Sequence, residues 1–469
     1  MLNTSEILSS RLPDPASNDL IGRYAACRLF GQPADFLIRG NPYRRPVRPQ
    51  DIEAVDFSRP LTRGDFASTA ALTGQRLLTN IYESELLFLP NGEFRRVERD
   101  FQEFYGDPLR SAGERVRPLL ERQLFAFLEE EIDVSGRWSE AAMRSYFERR
   151  LAGVTSAESS AVCEAIETAR EPRAAAELFL TQLASDFLSE ASAMARNVLG
   201  NFGAVQSELF KVLIDEYGYG VHETKHSTLF EETLKSCGLE SEPHAYWQFY
   251  LGTSLSLVTY FHYVSRNHAL FFRYLGALLY TEATLPWANR LQSEMLGRVF
   301  DGAADTRYFD EHVHIDVHHA RMALEKIIVP TVQRCGERVI GEIVRGFEEF
   351  ALLQELADAD LIAQIEWSDG REHYVELAAA LRAKGAASRR AGALFRESKA
   401  ELSVPHVHDE DELFLVEEGV LDFVTGPGAP RRLEAGEGIV IPQGRHHGSR
   451  IVSEHCSYRA VPLPGAAAC

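Results

Sequence analysis

Two groups of residues in this 469-residue chain have the types and spacing of metal ligands. The first reads His406-x-His408-x3-Glu412-x6-Gly419, then Gly436-x5-Pro442-x-Gly444-x2-His447. Side chains alternate along a strand, so His406 and His408 leave on the same face. A third imidazole, His447, carried across by the Gly and Pro turns, completes a facial site for a divalent metal with open positions. His446 points to the opposite face, so the spacing favours His447. Glu412 is expected as a fourth ligand or as an acceptor that orients an imidazole. The second group is His312-x3-Asp316-x2-His319. On a helix, at about 100° per residue, these three fall near 0°, 40° and −20°, one narrow stripe. Burying them is costly unless a metal neutralises and orients them.

A rival register exists in the second group. Glu223-x2-His226 and Glu311-x2-His314, with Glu190 and Glu282, would satisfy a four-helix di-iron template. His314 falls about 160° from His312, so these histidines cannot all face one core. Spacing alone leaves the two registers open.

The elements that must position these residues change character along the chain. Residues 1–170 read mostly as helices, with an amphipathic pattern over 115–131, a helix over 140–151 capped by Ser139, and an extended arm over 41–60. Residues 171–370 hold a longer helical tract: 174–199, 206–217, 222–239, 245–265, 269–284, 311–333 and 337–358, with Gly218, Gly220, Gly238 and Pro286 as breakers. Long helices with short connections imply a bundle, whose interior commonly hosts metal sites. Residues 371–400, basic and Ala-rich, read as a helical or loose linker. In 401–469, short apolar runs separated by Gly and Pro turns predict a small antiparallel barrel. The fold class is therefore multidomain: mainly α, followed by a small all-β barrel.

Composition narrows the partners. The chain is 45% hydrophobic and 25% charged, with 49 Lys+Arg against 69 Asp+Glu and a net charge of −20. Such a surface repels phosphate backbones and anionic lipid, so neither nucleic acid nor a membrane is expected as a partner. The apolar run around 249–264 is too short and polar to span a bilayer. The six cysteines are widely spaced without a CxxC, which suits a reducing cytoplasm. All 15 histidines lie at or after His222, so imidazole chemistry is confined to the second half. The His-free first third is expected to serve assembly.

The barrel segment resembles both halves of the cupin motif over about 70 residues, with Ala400 where the motif carries a glycine and Ile451 where it carries an asparagine. The central segment resembles the haem-oxygenase-like di-iron oxidases. The resemblance rests on Asp215-Glu-Tyr-Gly-Tyr-Gly220 leading into His222-Glu-Thr-Lys-His226, Cys237-Gly238-Leu239, Gly276-Ala-Leu278 with Glu282, and Tyr308-Phe309 ahead of the histidine helix. It implies the ligand set Glu190, Glu216, His226, Glu282, His312, Asp316 and His319, suited to two irons and O2. The whole chain is similar to the N-nitrosourea-forming metalloenzymes, through Asn41-Pro-Tyr-Arg-Arg45, Asp186-Phe-Leu-Ser-Glu-Ala191 and His406-x-His408-Asp-x-Asp-Glu-Leu413. That resemblance implies an Fe(II)-dependent oxygenase with O2 as co-substrate and an external reductant. The di-iron site would N-hydroxylate a guanidine, Nω-methyl-L-arginine, and a cupin Fe(II) held by His406, His408 and His447 would rearrange the product to an N-nitrosourea. The competing implication is a di-iron oxidase acting on another amino acid or a fatty acid. A homodimer is also implied, with its interface in residues 1–170.

Overall fold

The computed structural model describes residues 15–384, 392–428 and 430–463. It is helical up to residue 383 and all-β beyond 392. Helix Thr69–Glu83 starts on Ser68, whose hydroxyl accepts from the Ala71 amide, and it is buried from Ala71 to Glu83. A polar stripe on this helix, Gln75, Arg76, Thr79, Asn80 and Glu83, is therefore interior. Helix Asp107–Phe125 packs against it, and Leu120 and Leu124 have no exposed surface. They belong to one core that also holds Tyr260, Tyr274, Ile343 and Phe347. The apolar stripe expected to meet a second copy is thus covered by the chain itself. A stripe needs a partner, and helices Thr69–Glu83 and Pro15–Ala25 of the same chain supply most of it.

The longest helices, Phe271–Val299 and Ile340–Asp369, cross at two glycines. A Cβ on Gly276 would overlap the Ile343 carbonyl oxygen, and one on Gly346 would overlap that of Arg273. Pro286, expected to end a helix, lies inside the first of them. It forfeits only the bond to the Glu282 carbonyl, while buried residues on both sides, Leu279 to Glu282 and then Asn289 to Leu296, hold the helix in register.

Two further departures bear on chemistry. The helix expected over 174–199 stops at Phe187, and residues 188–193 turn, with Ala191 at φ 61°, before a short 3-10 segment at Met194–Val198. Ser189 closes this turn by donating its amide to the Asp186 carbonyl at 2.8 Å, so Glu190 sits on a turn and not on a helix. The helix expected over 311–333 is Arg307–Met322, followed by a π-helical stretch at Ala323–Ile328 and a last piece at Val329–Cys335. Pro330, without an N–H, favours such a break in the ladder.

Strands β1 (Ala393–Ser398), β2 (Leu402–His406), β3 (Glu412–Glu418), β4 (Val420–Val424), β5 (Arg431–Glu434), β6 (Gly438–Ile441), β7 (His447–Ile451) and β8 (His455–Pro462) form two antiparallel four-stranded sheets, ordered β1-β8-β3-β6 and β2-β7-β4-β5. Phe414, Leu421, Phe423, Ile439 and Ile451 fill the space within, joined by Trp367 from the long helix. The expected linker is largely structure. Helix Arg371–Ala383 lays Tyr374, Leu377, Ala378 and Leu381 on Leu413, Leu415 and Val440, and β1 begins at Ala393. Its alanines and leucines are amphipathic, and the outer face of the β3–β6 sheet is the apolar surface they cover. The intervening 385–391 lie outside the described residues. No helix among the described residues is long and apolar enough to cross a membrane, and none of the five described cysteines is paired.

Candidate metal centres

In the barrel, register does the positioning. His406 on β2 lies directly opposite His447 on β7. His406 Nε2 and His408 Nε2 are 3.2 Å apart, and the three rings lie with centroids 4.5–5.0 Å apart. The Nδ1 atoms of His406 and His447 are 2.9 and 3.0 Å from the carbonyl oxygens of Val404 and Arg445. An Nδ1–H donated to a carbonyl leaves Nε2 unprotonated and facing the centre. Burial holds all three imidazoles below their usual range, His408 at about 4. They are neutral, as metal binding requires. Glu412 Oε2 lies 3.7 Å from His408 Nε2, beyond hydrogen-bond distance, and the convergent group is the three histidines. His446 instead faces Arg76 of helix Thr69–Glu83, at 3.4 Å.

In the helical region, seven side chains converge as two groups with one member in common: Glu190, Glu216, His226 and His312, and Glu216, Glu282, Asp316 and His319. Gly218, at φ 57°, makes the turn that brings Glu216, at the end of helix Ala204–Glu216, back to His226, at the start of helix His226–Ser236. A Cβ there would collide with the Thr224–Lys225 backbone. His226 Nδ1 is 2.6 Å from Glu216 and 3.1 Å from His312 Nε2. His312 Nδ1 faces the Tyr308 carbonyl at 2.8 Å, so its Nε2 is the free nitrogen. His319 Nδ1 lies 3.2, 3.3 and 3.5 Å from Glu282, Asp316 and Glu216. His312, Asp316 and His319 are buried, whereas His314, His318, Glu223 and Glu311 are exposed. The rival Glu-x-x-His register is therefore not brought together.

The donor set fits divalent cations. Neither oxygen of Asp316, nor Oε2 of Glu190, meets a hydrogen-bond donor although all are buried. Such orphaned carboxylate oxygens are costly without a partner. Without a metal, the groups divide protons among themselves. Burial pushes Glu282 up to about 7 and raises Asp316. Burial would lower His319, but the neighbouring carboxyl groups of Asp316, Glu282 and Glu216 outweigh it and push the ring up to about 12. Glu216 stays below the usual carboxylate range despite its burial, held there by His226 and His312.

Two neighbours had no role assigned from sequence. Asp215 Oδ2 is 3.0 Å from His319 Nε2, so it orients that ring from behind. The Tyr308 hydroxyl donates to Glu190 Oε1 at 2.7 Å. Both lie in segments that carried the family resemblance, but nothing in their spacing distinguishes a residue behind the donors from a donor.

Comparison with known proteins agrees with this architecture. A family model described as an iron-containing redox enzyme matches residues 177–355, and a cupin-domain model matches residues 396–461. A nitrosourea synthase from Streptomyces achromogenes subsp. streptozoticus is 46% identical over 443 residues, 94% of this chain and 94% of that protein. The chain belongs to the nitrosourea synthase family. It is thus an iron-dependent oxygenase in which a haem-oxygenase-like helical region precedes a cupin. The crystal structure of a cupin-2 domain-containing protein from Shewanella frigidimarina is 33% identical, covering 15% of this chain and 67% of that one, with a TM-score of 0.13.

Proposed function

We propose that this enzyme N-hydroxylates a guanidine, Nω-methyl-L-arginine, in its helical region and oxidatively rearranges the product to an N-nitrosourea in its cupin. Two irons would be held by Glu190, Glu216, His226, Glu282, His312, Asp316 and His319, and one by His406, His408 and His447. O2 is the co-substrate and an external reductant supplies electrons. The observation that carries this reading is the pair of four-donor groups sharing Glu216, together with a separate three-histidine group that has no residue in common with them. Four carboxylates balance the charge of two divalent cations, and three neutral imidazoles leave a single cation with open positions. Bound iron(II) would supply the reduction of O2 at both places.

The remaining work falls to side chains. Glu216 is placed between the two helical groups, where one carboxylate can serve both. Glu190, on a turn and tied to Tyr308, has more freedom to shift than a donor fixed on a helix. Tyr308, Val404 and Arg445 each use a backbone carbonyl to fix which imidazole nitrogen is free. Asp215 holds His319 in place.

The same family reading includes a homodimer. Leu87, Leu89 and Phe94, 71%, 63% and 39% exposed, are apolar side chains in the first third of the chain that a second copy would cover, whereas Leu120 and Leu124 are buried within the chain.

The direct test is mass spectrometry of products from iron-loaded protein given O2, reductant and Nω-methyl-L-arginine. An N-nitroso product is expected. Recovery of unchanged substrate, with all three irons in place, would overturn the assignment of substrate.

A further inference from the structure

Asp186 closes helix Pro172–Phe187, four residues ahead of Glu190. Its backbone carbonyl accepts from Ser189, but its carboxylate has no hydrogen bond or ion pair with any described residue. It is half-buried, while Ala184 and Ser185 before it are closed to solvent. The charged side chains whose field reaches it are the carboxyl groups of Glu190 and Glu83. Burial, and then these two carboxylates, push its own carboxyl up to about 7. The nearest cation on Glu83 is already committed: Arg45 pairs with Glu83 and is boxed in by the rings of Phe88, Phe104 and Trp247. An acid in this position gains nothing from the protein around it.

The surroundings are built for a polar occupant. Gln182, one turn earlier on the helix, fastens it to the next wall by donating to the Phe249 carbonyl at 3.0 Å and accepting from the Leu251 amide at 2.8 Å. That wall carries His244, whose Nε2 is 2.7 Å from Glu83, and Tyr250. His262 stacks on Tyr82 at 5.3 Å and lies in the field of Glu83. Each of these side chains is under a tenth exposed, yet Glu83 Oε1, His244 Nδ1, the Tyr250 hydroxyl and His262 Nδ1 have no hydrogen-bond partner. Such a concentration of unpartnered polar atoms calls for something that fills it.

Resting on the reading given under Proposed function, we propose that Asp186 binds the substrate's guanidinium beside the helical metal centre. A carboxylate takes a guanidinium by two parallel N–H···O bonds, which fix the plane of the cation as well as its position. One edge of the guanidinium would be held by Asp186 and the other turned towards Glu190. The unpartnered donors and acceptors around Glu83 would then receive the polar end of the amino acid. Loss of Asp186 would remove recognition of charge without removing a metal donor.

The experiment is anaerobic calorimetry on iron-loaded protein with Nω-methyl-L-arginine and with L-citrulline, in which a neutral ureido group replaces the guanidinium. The wild type should prefer the guanidine by at least tenfold. Asp186→Asn should weaken guanidine binding by about 10- to 100-fold, the range for a charge-assisted hydrogen bond, and erase the preference. Asp186→Glu should restore part of it. Iron content and melting temperature should not fall in Asp186→Asn, because the carboxylate it removes has no partner. Guanidine binding within twofold of wild type in Asp186→Asn, a surviving preference, or loss of iron would each overturn this assignment while leaving the substrate class standing. If the wild type binds no guanidine at all, the substrate class falls, and this assignment with it.

Discussion

His319→Ala should cost this enzyme one iron and no more. The ring is fully buried and has a carboxylate oxygen of Asp215, Glu282, Asp316 and Glu216 within 3.0–3.5 Å. Deleting it reduces the Glu216, Glu282, Asp316 and His319 group to three carboxylates, while Glu190, Glu216, His226 and His312 keep all four donors. In metal-free protein the same deletion leaves buried carboxylates without their cationic partner, a loss of about 3–5 kcal/mol. His318 is the matched control, about 100° round the helix and exposed. His318→Ala should change stability by about 0.5 kcal/mol at most and leave iron untouched. The measurement is iron per chain by plasma mass spectrometry after anaerobic loading and desalting, with denaturant unfolding of chelator-treated protein alongside. Wild type and His318→Ala should hold three irons and His319→Ala two. Full iron in His319→Ala, or a loss in His318→Ala, would mean that the donors face another way.

Three other outcomes are expected. His406→Ala should spare hydroxylation and abolish the nitroso product, so that hydroxylated guanidine accumulates by mass spectrometry; a folded variant that cannot hydroxylate would end the division of labour. His262 is held at about 4 by burial against 6.5 when exposed, so the unfolded chain takes up its proton first, and the stability present above pH 6.5 drains away as pH falls towards 4. At about 1.4 kcal/mol per pH unit this amounts to about 3 kcal/mol, and His262→Phe should flatten urea-unfolding stability over that window; an unchanged slope would contradict it. Glu at both Leu87 and Leu89 should yield a folded monomer by light scattering from a wild-type dimer near twice 52.6 kDa; a wild-type monomer would dismiss the dimer.

Local rules served well where the donors sit on a regular element. The stripe of His312, Asp316 and His319 follows from helical period alone, and its burial separates it from the exposed His314 and His318. His406 ends β2 and His408, two residues beyond it, brings its Nε2 to 3.2 Å from that of His406, while β2 pairing β7 puts His447 opposite. The same rules failed where tertiary contacts outweigh propensity. Pro286 ends no helix, because buried residues on both sides hold it. The stripe on Asp107–Phe125 is covered within the chain, because helices Thr69–Glu83 and Pro15–Ala25 pack on it. The stretch read as a helical or loose linker is helical over Arg371–Ala383, where it covers the outer face of a sheet.

Residue types and periods therefore picked out His312, Asp316 and His319 as one helical stripe and His406, His408 and His447 as one facial set, while Glu190, Glu216, His226 and Glu282 came from the family resemblance. Only the tertiary structure decided that Glu216 is common to two groups, that Asp215 stands behind His319, and that Asp186 is left without a partner. Periodicity is a property of one element and is written in a dozen consecutive residues. Convergence is a property of several elements at once, since Glu190, Glu216, Glu282 and Asp316 lie on separate segments whose meeting depends on the close glycine crossing and on the turns at Gly218 and Ala191.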